Sequence, residues 1–93
     1  MQTEQILQTI RNLTESEQYT QALETVEALL ANEPENDWAW YLKGNIYKKQ
    51  EQWQQAINSY SQAIAINPAN PATTMRRICK DILNFYDKTL YNP

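Results

Sequence analysis

Histidine is absent from this chain of 93 residues, and glycine and cysteine each occur only once. Without histidine the chain lacks the commonest general base and metal ligand. The lone Cys79 can form neither an intrachain disulfide nor a thiolate zinc site. One glycine cannot build a glycine-rich phosphate loop, and the acidic residues lack the spacing of a calcium-binding loop. We therefore expect no catalytic activity, no cofactor and no metal.

Net positive charge and long apolar runs are missing as well. The formal net charge is −3, which argues against binding to nucleic acid or to a membrane surface, because both need a cationic patch. No segment reaches the length needed to span a bilayer, and the first residues, MQTEQILQTIRN, lack the pattern of a secretion signal. A lone cysteine fits a reducing compartment. We expect a cytoplasmic protein.

Apolar residues at helical spacing fill most of the chain and predict helices. Residues with capping side chains precede three of these helices, and prolines follow two of them. The first predicted helix covers residues 4–14 with Thr3 as N-cap, and the second follows the N-cap Ser16 and ends before Pro34. The third covers residues 37–50 with Asn36 as N-cap, and the fourth covers residues 53–66 and ends before Pro68. Short links make consecutive helices antiparallel neighbours.

The second pair of helices repeats the first at a fixed distance along the chain. Five pairs of matching positions are 34 residues apart: Tyr19 and Trp53, Ala22 and Ala56, Leu23 and Ile57, Leu30 and Ile64, and Pro34 and Pro68. A period of this length indicates stacked helix pairs, each of which must pack on a neighbour to bury its apolar face.

The stretch from Asp37 to Asn70 carries aromatic and small residues in a regular order, followed by a proline. They are Trp40, Gly44, Tyr47, Ala56, Tyr60, Ala63 and Pro68. In type and spacing they resemble the signature of the tetratricopeptide repeat family, although Lys43 stands where the family has an apolar residue. Residues 37–70 are then one complete repeat, and residues 3–36 are a degenerate copy.

This resemblance implies an all-α fold. The expected architecture is a right-handed α-solenoid of two helix hairpins and a C-terminal capping helix, with five helices in a single domain over residues 1–93. The capping unit covers residues 71–90, and its helix is expected over 71–89, after the N-cap Asn70 and beginning at Pro71.

The last helix continues the pattern with a slip in register. Met75, Ile78, Cys79 and Ile82 align with Trp40, Lys43, Gly44 and Tyr47 of the complete repeat at an offset of 35, which implies one inserted residue. Further apolar residues extend around and beyond this helix: Leu83, Phe85, Tyr86, Leu90 and Tyr91. Either they fold back over the third and fourth helices, or they form an exposed patch for self-association or a partner.

In this family the first helix of each repeat lines a concave binding face, and the resemblance implies the same role for the first, third and fifth helices. The residues expected to contact a partner there are Arg11, Trp38, Tyr41, Asn45, Lys48, Arg76, Arg77 and Lys80. Most are basic, so we hypothesise that the face binds an acidic or C-terminal peptide segment. Trp38 and Tyr41 would supply stacking area, and Asn45 would read the peptide backbone. The family's groove for a chaperone's terminal carboxylate is matched only at Arg77, so we do not predict a chaperone adaptor.

Two functions stay open at this point. The first is a non-catalytic interaction scaffold that binds a protein or peptide as a monomer. The second is a self-associating unit that dimerises weakly through the C-terminal helix, because fewer than three full repeats leave stacking surface uncovered. Sedimentation at several concentrations separates them, since a monomer at every concentration would exclude assembly.

Overall fold

A computed structural model describes residues 2–91 of the chain and the side chains of residues 2–85. Over those residues it contains five α-helices and no strand, which confirms the all-α prediction. The helices are α1 (Gln2–Glu15), α2 (Tyr19–Asn32), α3 (Asp37–Lys49), α4 (Trp53–Ile66) and α5 (Ala72–Tyr91). None of them is long and apolar enough to cross a membrane.

Two of the predicted N-caps are wrong. Thr3 lies inside α1, and its hydroxyl donates a hydrogen bond of 2.8 Å to Glu33 Oε2 at the other end of the hairpin. Ser16 belongs to the turn between α1 and α2, and Gln18 occupies the N-cap of α2 without a side-chain hydrogen bond. Ser16 N still donates to Asn12 O at 3.0 Å, so Ser16 closes the end of α1 and does not begin α2.

The two hairpins share an unusual turn. Glu17 and Glu51, which are 34 residues apart, have φ angles of 62° and 59°. In each turn the amide of the next residue closes back on the preceding helix, from Gln18 N to Leu13 O and from Gln52 N to Tyr47 O, both at 2.9 Å. This is the left-handed helix termination that usually carries glycine, and here glutamate fills both positions.

Side-chain hydrogen bonds connect the two ends of each hairpin, and the positions of donor and acceptor are exchanged between the two repeats. In the first repeat the carboxylate of Glu33 accepts from Thr3 and from Asn36 Nδ2, at 2.8 and 3.1 Å. In the second, the carboxylate belongs to Asp37, and it accepts from the side-chain amides of the residues that follow α4. These donors are Asn67 at 3.1 Å and Asn70 at 2.8 Å. A single carboxylate therefore closes each hairpin.

The core is divided into two clusters that meet at α3. The first joins α1, α2 and one face of α3. The second joins α4, α5 and the opposite side of α3, where Trp40 and Tyr41 pack against both clusters. Trp40 Nε1 also donates to Pro34 O at 2.9 Å, which fixes α3 to the preceding turn.

Gly44 marks the closest approach of α3 to α4. A Cβ atom placed on it would lie 2.9 Å from Tyr60 Cζ and closer still to two other ring carbons. Tyr60 is completely buried and cannot move aside without disturbing the core. Position 44 therefore needs a residue without a side chain so that α3 can pack against α4.

Helix α5 docks on α4 much as α3 docks on the first hairpin. Ala72 and Cys79 are completely buried in the second cluster, as Ala39 and Ile46 are in the first. Each α5 residue lies 33 positions after its α3 counterpart. The predicted offset of 35 is therefore wrong.

Polar contacts give the same register independently. Lys43 Nζ on α3 forms an ion pair with Glu27 Oε1 on α2 at 2.5 Å. The same Nζ lies 5.0 Å from the centroid of the Trp40 ring, in a cation–π contact. At the matching place, Arg76 on α5 donates to Ser61 Oγ on α4 at 3.2 Å. The departure at Lys43 from the family pattern is thus explained by an ion pair between consecutive repeats.

The register change originates at the start of α5. Asn36 and Asn70 cap α3 and α5 as predicted, accepting from Ala39 N at 3.1 Å and from Ala72 N at 2.8 Å. Two residues separate the first asparagine from its alanine, whereas Pro71 alone separates the second pair. One residue has been removed rather than inserted, and α5 begins one residue later than predicted.

Of the apolar residues in the C-terminal half of α5, one packs in the core and another is exposed, so each of the two predicted environments is found. Leu83 packs against the second core cluster, whereas 66% of the Phe85 surface is exposed. The side chains of Tyr86, Leu90 and Tyr91 lie outside the described residues.

Replacing Gly44 with alanine is expected to lower the free energy of unfolding by about 1–3 kcal/mol, because the new methyl group overpacks the Tyr60 ring. Urea denaturation measures this. In a Tyr60→Leu background the same change should cost little, since alanine favours a helix by roughly 0.8–1 kcal/mol over glycine. An equal loss in both backgrounds would contradict the proposed contact.

Replacing Glu51 with glycine is expected to stabilise the protein by about 0.5–1 kcal/mol, because glycine adopts a positive φ without steric cost. Glu24→Gly removes the same charge from the exposed middle of α2, where it should destabilise by about 1 kcal/mol. Thermal and urea unfolding of the two variants would show opposite shifts if the backbone angle is the cause.

Candidate binding groove

A cavity of about 440 Å³ lies between α1 and α3 and reaches the first turn of α5. Its lining combines basic, amide, aromatic and apolar side chains: Gln8, Arg11, Asn12, Thr14, Glu15, Tyr41, Leu42, Asn45, Lys48, Lys49 and Met75. Three helices thus contribute to one concave surface, which we call the α1–α3 groove. Leu42 and Thr14 are buried beneath it.

Four of the residues expected to bind a partner meet in this groove. Arg11, Tyr41, Asn45 and Lys48 all line it, and all four are half-buried. Trp38 stands beside them, with its ring centroid 5.6 Å from that of Tyr41 in an edge-to-face arrangement. Side chains held partly by packing lose less conformational entropy when a ligand binds.

Asn45 is held in one orientation by the core. The hydroxyl of Tyr60, which comes from α4, donates a hydrogen bond of 2.5 Å to Asn45 Oδ1. Burial raises the pKa of Tyr60, so the phenol keeps its proton and remains a donor. Because its Oδ1 is occupied, Asn45 can offer its Nδ2 hydrogens to a ligand in the groove.

An unbroken row of rings connects the groove to the second core cluster. The Tyr41 ring lies 6.0 Å from that of Tyr60, tilted by 46°. Behind them burial raises the pKa of Cys79, while the positive charge of Lys48 acts in the opposite direction.

The groove is positively charged at its surface. Among the described residues that line it, Arg11, Lys48 and Lys49 are basic and Glu15 is acidic. The three basic side chains and the Nδ2 group of Asn45 give the groove several hydrogen-bond donors. Such donors are complementary to carboxylate and carbonyl oxygens. Sequence reasoning overlooked Asn12, Glu15 and Met75, because their exposure depends on how α1 and α5 tilt against α3.

The three predicted residues on α5 do not line this groove. Arg76 donates to Ser61 on α4. Arg77 and Lys80 are exposed, and in the observed register they occupy the positions that Gly44 and Tyr47 hold on α3, on the side that α3 turns toward α4. The removal of one residue before Ala72 rotates them away from the positions assigned by an offset of 35.

A second cavity of about 480 Å³ lies beside α5, near the start of α4. The described residues lining it are Glu51, Trp53, Asp81, Ile82 and Phe85. It is a notch between α5 and the turn that joins α3 to α4, and we call it the α5 notch. No three acidic or cysteine side chains gather closely enough among residues 2–85 to hold a metal ion.

Comparison with known proteins yields one family and one solved structure. The family model described as tetratricopeptide repeat matches residues 38–70. The solution NMR structure of Bacteroides fragilis protein BF1650 superposes with a TM-score of 0.84 at 45% sequence identity, covering 92% of this chain and 88% of that one. A comparison with curated proteins found no match.

Stability is expected to fall at high pH. Burial raises the pKa of Tyr60 and of Cys79 above their ordinary values of 10.0 and 9.0. The unfolded chain therefore releases these protons first, so stability is complete below about pH 8 and declines as the pH rises through 9 and 10, with a limiting slope of about 1.4 kcal/mol per pH unit for Tyr60. Urea unfolding from pH 8 to 11.5 measures the slope. Tyr60→Phe should make it shallower, and an unchanged slope would contradict this assignment.

Proposed function

Because the chain belongs to the tetratricopeptide repeat family, whose repeats generally mediate protein–protein interactions, we propose that it is a non-catalytic interaction module. It binds a peptide segment of a partner protein on the concave face formed by α1, α3 and α5. The convergence of Arg11, Tyr41, Asn45 and Lys48 in one groove is the observation that carries this proposal. The lone buried cysteine supports a cytoplasmic location.

The chemistry of the α1–α3 groove favours an acidic or carboxyl-terminal segment. Arg11 and Lys48 stand on opposite walls, one on α1 and the other on α3, so a carboxylate between them would be attracted by both. Asn45 adds a donor of fixed direction through its bond with Tyr60. Trp38 and Tyr41 provide rigid aromatic area of the kind that dominates binding energy at interfaces.

The scaffold beneath the groove suits this role. The contact between Gly44 and Tyr60 packs α3 against α4, and the ion pair of Lys43 with Glu27 connects α3 to α2. The helix that carries most of the proposed contacts is therefore fixed on both sides. A preorganised site binds with a smaller entropic cost than a mobile one.

Self-association is the second candidate function, and a specific observation favours it. Ile78 and Phe85 on α5 expose 38% and 66% of their surfaces. Apolar side chains of this size at the end of a helical array can pair with a second copy. The helix that closes the array would then also be the dimer interface.

Reversing the charge of Arg11 and Lys48 together tests the groove. We expect the double variant Arg11→Glu, Lys48→Glu to bind an array of acidic hexapeptides at least tenfold more weakly, because a hydrogen bond to a charged group is worth about 1.5–3 kcal/mol. Binding is measured by fluorescence polarisation, with circular dichroism to verify the fold.

The chain offers a matched control. Arg77→Glu, Lys80→Glu makes the same change in net charge on the exposed side of α5, away from the groove. This variant should keep wild-type affinity. Equal losses in both variants would mean that the peptides respond to overall charge, and unchanged affinity in the first would exclude the groove as the site.

A further inference from the structure

The observed register of α5 continues the concave face with apolar and acidic side chains instead of amide and basic ones. On α3 the face carries Asn45, Lys48 and Lys49. Thirty-three positions later, the matching residues on α5 are Ile78, Asp81 and Ile82. Phe85 follows about one turn beyond, where α5 extends past the end of α3.

This apolar surface is open to solvent. Ile78 is 38% exposed, and Ile82 and Phe85 line the α5 notch together with the indole of Trp53 from α4. The notch is similar in size to the α1–α3 groove. Both cavities include residues of α5: Met75 lines the groove, and Ile82 and Phe85 line the notch.

The two cavities differ in charge. The α1–α3 groove carries Arg11, Lys48 and Lys49, whereas the described residues of the α5 notch include two acids, Glu51 and Asp81, and no basic side chain. A uniformly acidic segment would be repelled at the notch, and a uniformly apolar one would leave the basic groove unpaired. The two sides are complementary only to a ligand of mixed character.

We infer that the concave face recognises a segment with an acidic side chain at one end, bound in the α1–α3 groove, and an apolar side chain at the other, bound in the α5 notch. This inference rests on the proposed function and specifies its partner. Met75 lines the groove and Ile82 lines the notch, and these two residues are seven positions apart on α5, which is about 10.5 Å along the helix axis. An extended chain advances about 3.3–3.6 Å per residue, so the two side chains of the ligand are roughly three residues apart.

A second copy of the chain fits the exposed apolar residues of α5 less well. A two-fold contact brings the same surface of both molecules together. If it is centred on Ile78, it places Arg77 and Lys80 near their own copies, and like charges repel when they are desolvated. A symmetric contact at Ile78 is therefore unfavourable.

Two tryptophans allow the cavities to be observed separately. Trp38 borders the α1–α3 groove and Trp53 lines the α5 notch. In a ¹⁵N-labelled protein their indole signals, assigned with Trp→Phe variants, report on each cavity. The probes are acetylated and amidated hexapeptides of sequence DESSLL, its reverse LLSSED, and the acidic-only control DESSSS.

The expected result is that DESSLL or LLSSED shifts both indole signals together, whereas DESSSS shifts that of Trp38 alone. Phe85→Ser should weaken the mixed peptide about tenfold, because roughly 50–60 Å² of apolar surface at about 25 cal/mol per Å² would no longer be covered. Its affinity for DESSSS should not change. Phe85→Leu, which keeps an apolar side chain, should restore most of the lost affinity.

Three results would overturn the inference, and they differ in what they leave standing. If DESSSS binds as tightly as the mixed peptides and the Trp53 signal stays still, the apolar subsite is excluded while the proposed function stands. If no peptide binds at millimolar concentration, the proposed function fails with it. If the Trp53 signal shifts with protein concentration alone and sedimentation detects a dimer, a second copy occupies the notch.

Discussion

The close contact between Gly44 and the ring of Tyr60 determines how the rest of the molecule is arranged. Because position 44 has no side chain, the ring can pass beneath α3 and bring its hydroxyl to Asn45 on the concave side. The same ring lies beside Tyr41 in the groove and in one core cluster with Cys79. One buried phenol therefore joins the core of the second hairpin to the surface proposed for binding.

Each repeat solves the same structural problems with different residues. The carboxylate that closes the hairpin is Glu33 in one repeat and Asp37 in the other. The contact between successive repeats is an ion pair at Lys43 and a neutral hydrogen bond at Arg76. What recurs is the position of a hydrogen-bonding group, and its chemical identity can change because either partner can supply the acceptor.

Much of the fold was predictable, because a period of 34 residues and the spacing of Trp40, Gly44 and Tyr60 are properties of the chain itself. The groove was predictable on α3, where the signature fixes which residues point outward. It was not predictable on α5. The alignment of Met75, Cys79 and Ile82 with Trp40, Gly44 and Tyr47 gave a register in which Arg76, Arg77 and Lys80 faced the groove. In the structure Cys79 fills the place of Ile46, and the basic residues turn elsewhere.

The sequence by itself determined the all-α class, the number of helices, the capping roles of Asn36 and Asn70, and the need for a small residue at position 44. These features follow from local propensity and from periodicity, which act over a few residues or one repeat. Only the tertiary structure decided the rotation of α5, the orientation of the Asn45 amide and the change from basic to apolar and acidic character along the concave face. Each of these features depends on packing between helices that are distant in the chain. Removing a single residue before Ala72 rotates the whole of α5 by about 100° about its axis.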